Sequence, residues 1–202
     1  MNQSPKEQTQ MKKILLVPVL ALAILAGACG VAQWVKIAQE ILPVVLPMVT
    51  NLVTAVGLLE GKTVSAQDLS TITRSANQVS SDLNLAGQLI NQYESSPDTT
   101  TIAKIDTMLT EVNSNLNSLL PALHISDPAT AQKISAVVTL ISTEVNSMQQ
   151  ILPVISAGGK PTLPAGAVPL NASALKKQYN AIVAQPTSST LVNQAFAGAV
   201  LQ

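Results

Sequence analysis

The chain has 202 residues, of which 47% are hydrophobic, 11% charged and 2% aromatic. Ordinary globular chains carry roughly 25% charged residues, so the polar surface here must come mainly from the 63 Ser, Thr, Asn and Gln residues. Eleven basic and eleven acidic side chains balance to zero and only four residues are aromatic (Trp34, Tyr93, Tyr179, Phe196), which excludes the basic footprint and stacking platforms of a nucleic-acid binder. One Cys and one His exclude a disulfide framework and leave no ligand set for zinc. Leu, Ile, Val and Ala suffice for a core, so folding requires no metal, cofactor or disulfide.

In chain order, the first feature is an apolar run. Residues 14–28, ILLVPVLALAILAGA, carry no polar side chain and follow Lys12 and Lys13. A basic start, a short apolar stretch and small residues at its end describe a secretory signal. The only cysteine, Cys29, comes directly after Leu25-Ala26-Gly27-Ala28. This segment resembles the lipobox of bacterial lipoproteins, in which small residues precede a cysteine that is acylated and becomes the new N-terminus. The resemblance covers residues 11–30 and departs from the pattern at Ala26, where leucine is usual; Leu25 lies one step early. It implies cleavage between Ala28 and Cys29, acyl chains such as palmitate on Cys29, and a true start at Met11. Gly30, in place of Asp, implies outer-membrane sorting in a Gram-negative host.

Two other readings share the residues. Residues 14–35 form a 22-residue span broken only by Gln33; about 20 apolar residues cross a bilayer, and Trp34 with Lys36 would then sit at the interface. Plain secretion after cleavage is the other. In all three, Lys12 and Lys13 hold the start inside and the remainder lies outside the cytoplasm. Acyl chains contribute about 0.8 kcal/mol per buried CH₂, and two or more anchor stably.

The chain beyond residue 28 shows no strand pattern, and helical spacing appears four times. The stripes are Trp34-Ala38-Ile41-Val45-Met48-Leu52-Ala55-Leu59, then Leu69-Ile72-Ala76-Val79-Leu83-Ala86-Ile90-Tyr93, then Ile102-Ile105-Leu109-Val112-Leu116-Leu119-Leu123, and Ile134-Val138-Ile141-Val145-Met148-Leu152-Ile155. The joints carry capping signals: Ser65 with Asp68 three residues on, Ser96 before Pro97, and Asp127 before Pro128. Short connections favour antiparallel neighbours. The expected fold is all-α, an up-down-up-down four-helix bundle over 29–155, a Gly/Pro-rich linker over 156–170 and a C-terminal helical appendage over 171–202. Two short helices are expected there, near 172–184 with Leu175, Tyr179 and Ile182, and near 188–200 with Leu191, Phe196 and Val200. The first bundle helix is apolar on most sides, with only Thr50, Asn51 and Thr54 polar between Ile41 and Leu59. Its regular seam, Asn51 and prolines fit a buried central helix better than a membrane span. Pro43 and Pro47 should kink or split it. The pentapeptide Thr110–Ser114, TEVNS, recurs as Thr143–Ser147.

The parts of an enzyme are missing. His124 has no Ser, Cys or Asp companion at a defensible spacing and reads as an exposed loop histidine or a helix C-terminal partner. Glu111 and Glu144 hold equivalent repeat positions but flank their seams, and the Glu-x-x-His motif of bundle metal sites is absent, so both read as solvated surface. Gly158-Gly159-Lys160 is followed by Pro161, which excludes a P-loop. Asn171 opens a glycosylation sequon and reads more simply as a helix cap. No catalytic, cofactor or metal residues are expected. The remaining functions are a structural or interaction lipoprotein, held to the membrane by its N-terminal lipid and showing a neutral polar face to an envelope protein, or a module holding a small apolar ligand between helices. For the latter, Pro43, Pro47, Ala38, Ala76 and Ala86 are the candidates for opening space. A helical sensor lacks the second span and cytoplasmic output it requires.

Overall fold

The computed structural model describes residues 32–59, 65–122, 125, 127–156 and 171–202. Among them every regular element is a helix, as the spacing predicts. They are α1 (Ala32–Gly57), α2 (Ala66–Ser95), α3 (Thr99–Ala122), α4 (Pro128–Ser156), α5 (Ala172–Val183) and α6 (Thr190–Ala197). Leu123, the expected end of the third stripe, lies outside the described residues, as does 157–170 of the expected linker; Ser156 itself closes α4.

The stripes converge on one hydrophobic core. Every α1 seam position from Trp34 to Leu59 is buried, and so are Val35, Leu42, Val44, Val49 and Val56 off the seam. An apolar helix of this kind needs cover on several sides, and α1 obtains it. The α2 seam is buried from Ile72 to Tyr93, α3 from Ile102 to Leu119, and α4 from Ile134 to Leu152.

Pro43 and Pro47 do not split α1, which runs unbroken through both. Spaced by four, they lie on one side of the helix, and Pro43 is exposed. The missing donors and ring clashes therefore fall together on one side of the helix, off the buried seam.

The caps refine the expected joints. The Ser65 hydroxyl accepts from the Asp68 backbone N–H at 3.1 Å, closing the first turn of α2. At the next joint the cap is Asp98 rather than Ser96: its carboxylate accepts from the Thr101 N–H at 2.7 Å and from the Thr101 hydroxyl at 2.6 Å. Pro97 thus precedes α3 instead of opening it, and Ser96 closes α2 with its N–H on the Gln92 carbonyl. Asp127 caps α4 through the Thr130 N–H at 2.7 Å, with Pro128 at the first helical position as expected. Hydrogen bonds hold both aspartates below the usual carboxylate range: chiefly the Thr101 hydroxyl for Asp98, and chiefly the Ser188 hydroxyl, then Thr130, for Asp127.

Amide side chains link the helices. Gln39 donates to Asn91 at 3.0 Å and Glu94 at 2.8 Å, joining α1 to α2. Asn115 donates to Asp82 at 3.5 Å, and Ser118 bonds Ser75 at 3.4 Å, joining α3 to α2. Between α3 and α4 the two TEVNS copies meet: Asn113 donates to Asn146 at 2.8 Å. Gln149 adds bonds to Asp106 at 3.0 Å and Thr110 at 2.7 Å.

The C-terminal helices share the same core. Leu175, Tyr179, Val183, Val192 and Phe196 join the buried cluster. Asn51 donates to the Tyr179 hydroxyl at 3.1 Å and to the Ala199 carbonyl at 3.2 Å. Val200, an expected seam member, is exposed, and Ala199 is buried in its place because α6 stops at Ala197.

Candidate functional site

Several sequence candidates fall outside the described residues: Ala28 and Cys29 at the expected cleavage and acylation point, His124, and Gly158-Gly159-Lys160. Asn171 is the N-cap of α5, its side-chain oxygen accepting from the Ala174 N–H at 3.0 Å. Glu111 is exposed, as its flanking position implies.

Glu144 is not. The expectation of a solvated carboxylate is overturned: the residue is 5% exposed, and Oε2 is buried with no hydrogen-bond partner among the described residues. Loss of hydration raises its carboxyl from 4.5 to about 7. The cause is a second stripe on α4 that a polar reading conceals. Lys133, Val137, Leu140, Glu144, Ser147 and Ile151 step by four and three along the helix. All are buried except Leu140, which is half-buried. Two of the six are charged and one is a hydroxyl, so half of the stripe carries no apolar signal. The segment covering its first half, α5, comes some forty residues later in the chain.

Between α4 and α5 lies an open groove of about 470 Å³. Glu144, Leu140, Ala136 and Ile182 line it, with Gln132, Ser135, Thr139, Thr143 and Gln178. Glu144 is the only charged residue of that lining. The groove combines apolar wall, hydroxyls and amides around one desolvated carboxyl.

Lys133, at the other end of the stripe, is 3% exposed. Its ammonium donates to the Val183 carbonyl at 3.0 Å and to Asn193 Oδ1 at 3.5 Å, and lies 5.4 Å from the Phe196 ring centre. Burial lowers its pKa from the ordinary lysine value. Val183 closes α5, where backbone carbonyls lack intrahelical partners and a cation is favoured. Lys133 therefore fastens the end of α5, and through Asn193 and Phe196 the body of α6, to α4. A second hollow, of about 230 Å³, adjoins it. Sequence spacing alone offered no sign of this role, since a lysine beside an apolar seam usually reaches water.

A third groove, about 290 Å³, runs between α1 and α2 and is lined in part by Leu42, Pro43, Leu83 and Ile90. Ala38, Ala76 and Ala86 line none of the three; each is packed in the core. Exposed large apolar side chains are scattered: Leu58, Leu85 and Val200. No group of three His, Cys, Asp or Glu side chains suited to a metal occurs among the described residues.

The start of α1 bears on the anchor. Trp34 is fully buried and its indole N–H donates to the Met148 carbonyl at 3.4 Å, while Val35 is 1% exposed. The core, rather than a membrane interface, takes these two residues, and only Lys36 of the proposed interfacial pair is exposed. No protein-family model, curated protein or solved structure matches the chain.

Proposed function

We propose that the chain is a lipid-anchored bacterial envelope protein whose folded part is non-catalytic and serves a structural or protein-interaction role. The observation that carries this reading is the junction at the N-terminus. Cys29, at the end of the apolar run, stands three residues before α1 begins at Ala32, and α1 enters the core at once through Trp34. A lipid on Cys29 would leave almost no tether, setting the domain directly against the bilayer and outside the cytoplasm. In a Gram-negative host that is the periplasmic face of the outer membrane.

The described contacts support an up-down-up-down four-helix bundle for α1–α4. Gln39 pairs with Asn91 and Glu94 while Leu42 lies against Gly87; Ser75 pairs with Ser118 and Asp82 with Asn115; Asn113 pairs with Asn146 and Asp106 with Gln149. In each pair of helices one number rises as the other falls. With the lipid at the start of α1, the Asn51 clamp to Tyr179 lies nineteen residues along that helix, about 28 Å at 1.5 Å per residue. The side carrying α5 and α6 then faces an envelope partner rather than the membrane.

Intact-mass analysis of protein extracted from membranes tests the anchor. The expected species begins at Cys29 and carries diacylglyceryl or triacyl mass. A species retaining residues 11–28, or an unmodified Cys29, would remove the proposal. Crosslinking in intact cells, read by mass spectrometry, should recover one consistent envelope protein through lysines of α5.

A further inference from the structure

The groove between α4 and α5 does not enter the anchoring role, and its chemistry is specific. Glu144 is 95% covered and lines the groove, and its buried Oε2 has no hydrogen-bond donor among the described residues. A buried polar atom without a partner costs about 1–3 kcal/mol, more when charged, and evolution seldom retains one without use. Among the described residues the Ser142 hydroxyl of α4 also lacks a partner, but Ser142 does not line the groove.

We propose that this groove binds a small monocationic amine with an apolar body, its ammonium paired with the Glu144 carboxylate. The charge follows from the lining, in which the single carboxylate has no basic neighbour. Lys133, three turns earlier on the same stripe, is committed to Val183 and Asn193. The apolar body follows from Ala136, Leu140 and Ile182 along the walls. Thr139, Thr143 and Gln178 supply acceptors for the remaining ammonium protons. An ammonium has three donors and no acceptor, so it suits this arrangement as an alcohol or a carboxylate does not. The volume, about 470 Å³, lies within the range of small-molecule sites. The proposal is independent of the lipid anchor.

The test uses the full chain in nonionic detergent at pH 8, titrated in a calorimeter with cyclohexylammonium, cyclohexanol and cyclohexanecarboxylate, with protein-free micelles subtracted. Cyclohexylammonium should bind at least tenfold more tightly than cyclohexanol, and cyclohexanecarboxylate not at all. Glu144→Gln should bring the ammonium down to the level of the alcohol. Glu111→Gln, its exposed counterpart in the repeat, should leave binding unchanged. Should Glu144→Gln lose its cooperative melting, Ser135→Trp provides the second arm: it fills the groove from a half-buried position and should abolish binding with the carboxyl intact. Equal binding of ammonium and alcohol, or an ammonium preference that survives both substitutions, overturns the proposal.

Discussion

Glu111 and Glu144 hold the same place in the same pentapeptide, yet one is in water and the other buried. The difference is what lies against each helix, and it gives the two residues opposite consequences. With its carboxyl raised from 4.5 to about 7, folded Glu144 binds more protons than the unfolded chain between those values. Its contribution to stability is therefore greatest below about pH 4.5 and declines as pH rises through 7. The full shift corresponds to roughly 3 kcal/mol; since the groove admits water, about half of that is expected. Asp98 and Asp127 run the other way. Their lowered values add stability that is present above the ordinary 3.8 and lost as pH falls below it. They are constant between pH 5 and 8.5, where Glu144 titrates. Urea unfolding at those two pH values should show wild type weaker at 8.5, and Glu144→Gln should gain there by about 1–2 kcal/mol relative to wild type. An unchanged difference between the two proteins across that range would contradict a buried carboxyl.

At the scale of elements, the polar residues of α1 show how an apolar helix is made specific. Thr50 and Thr54 bond back to the carbonyls of Leu46 and Thr50, four residues earlier, at 3.2 and 3.0 Å. Asn51 instead reaches out to Tyr179 and Ala199. The helix spans were legible because each seam repeats over several turns. The caps were legible where a single capping side chain stood at the joint, as at Ser65, Asp127 and Asn171. At Ser96-Pro97-Asp98 two capping residues competed, and the Thr101 hydroxyl, adding a second bond to Asp98, placed the start of α3 two residues later. Asn171→Ala should cost about 1 kcal/mol in urea unfolding, whereas Asn171→Gly should cost only a few tenths. Equal losses in both variants would show that the amide acts as something other than a cap.

For the whole molecule, the C-terminal helices are part of the core. Tyr179 and Phe196 are fully buried, and Lys133 and Asn51 bond to their backbone or side chains. Tyr179→Phe removes one of two acceptors for Asn51 and should cost about 1 kcal/mol. Deleting residues 171–202 uncovers the second stripe of α4, and the shortened chain should bind a hydrophobic dye and lose resistance to protease. A truncated chain that melts as cooperatively as the full one would show that α5 and α6 are dispensable. The neutral amides have a changed meaning at this scale. Gln39, Asn51, Asn113, Asn115, Gln149, Asn180 and Asn193 join elements or turns to one another. Part of the polar complement that replaces charge is thus internal fastening.

Sequence by itself determined the helical class, the positions of the helices and most of their buried seams. These follow from a local period of 3.6 residues, which each segment carries without reference to any other. It also placed the apolar run and Cys29 ahead of a helix that cannot tolerate exposure. Only the tertiary structure decided that α4 has two covered faces, that Lys133 and Glu144 sit on the second, and that α5 closes a groove over one of them. The physical reason is that burial of a polar residue depends on what packs over it. Here the covering helix lies far along the chain, joined to α4 by contacts that no local pattern contains.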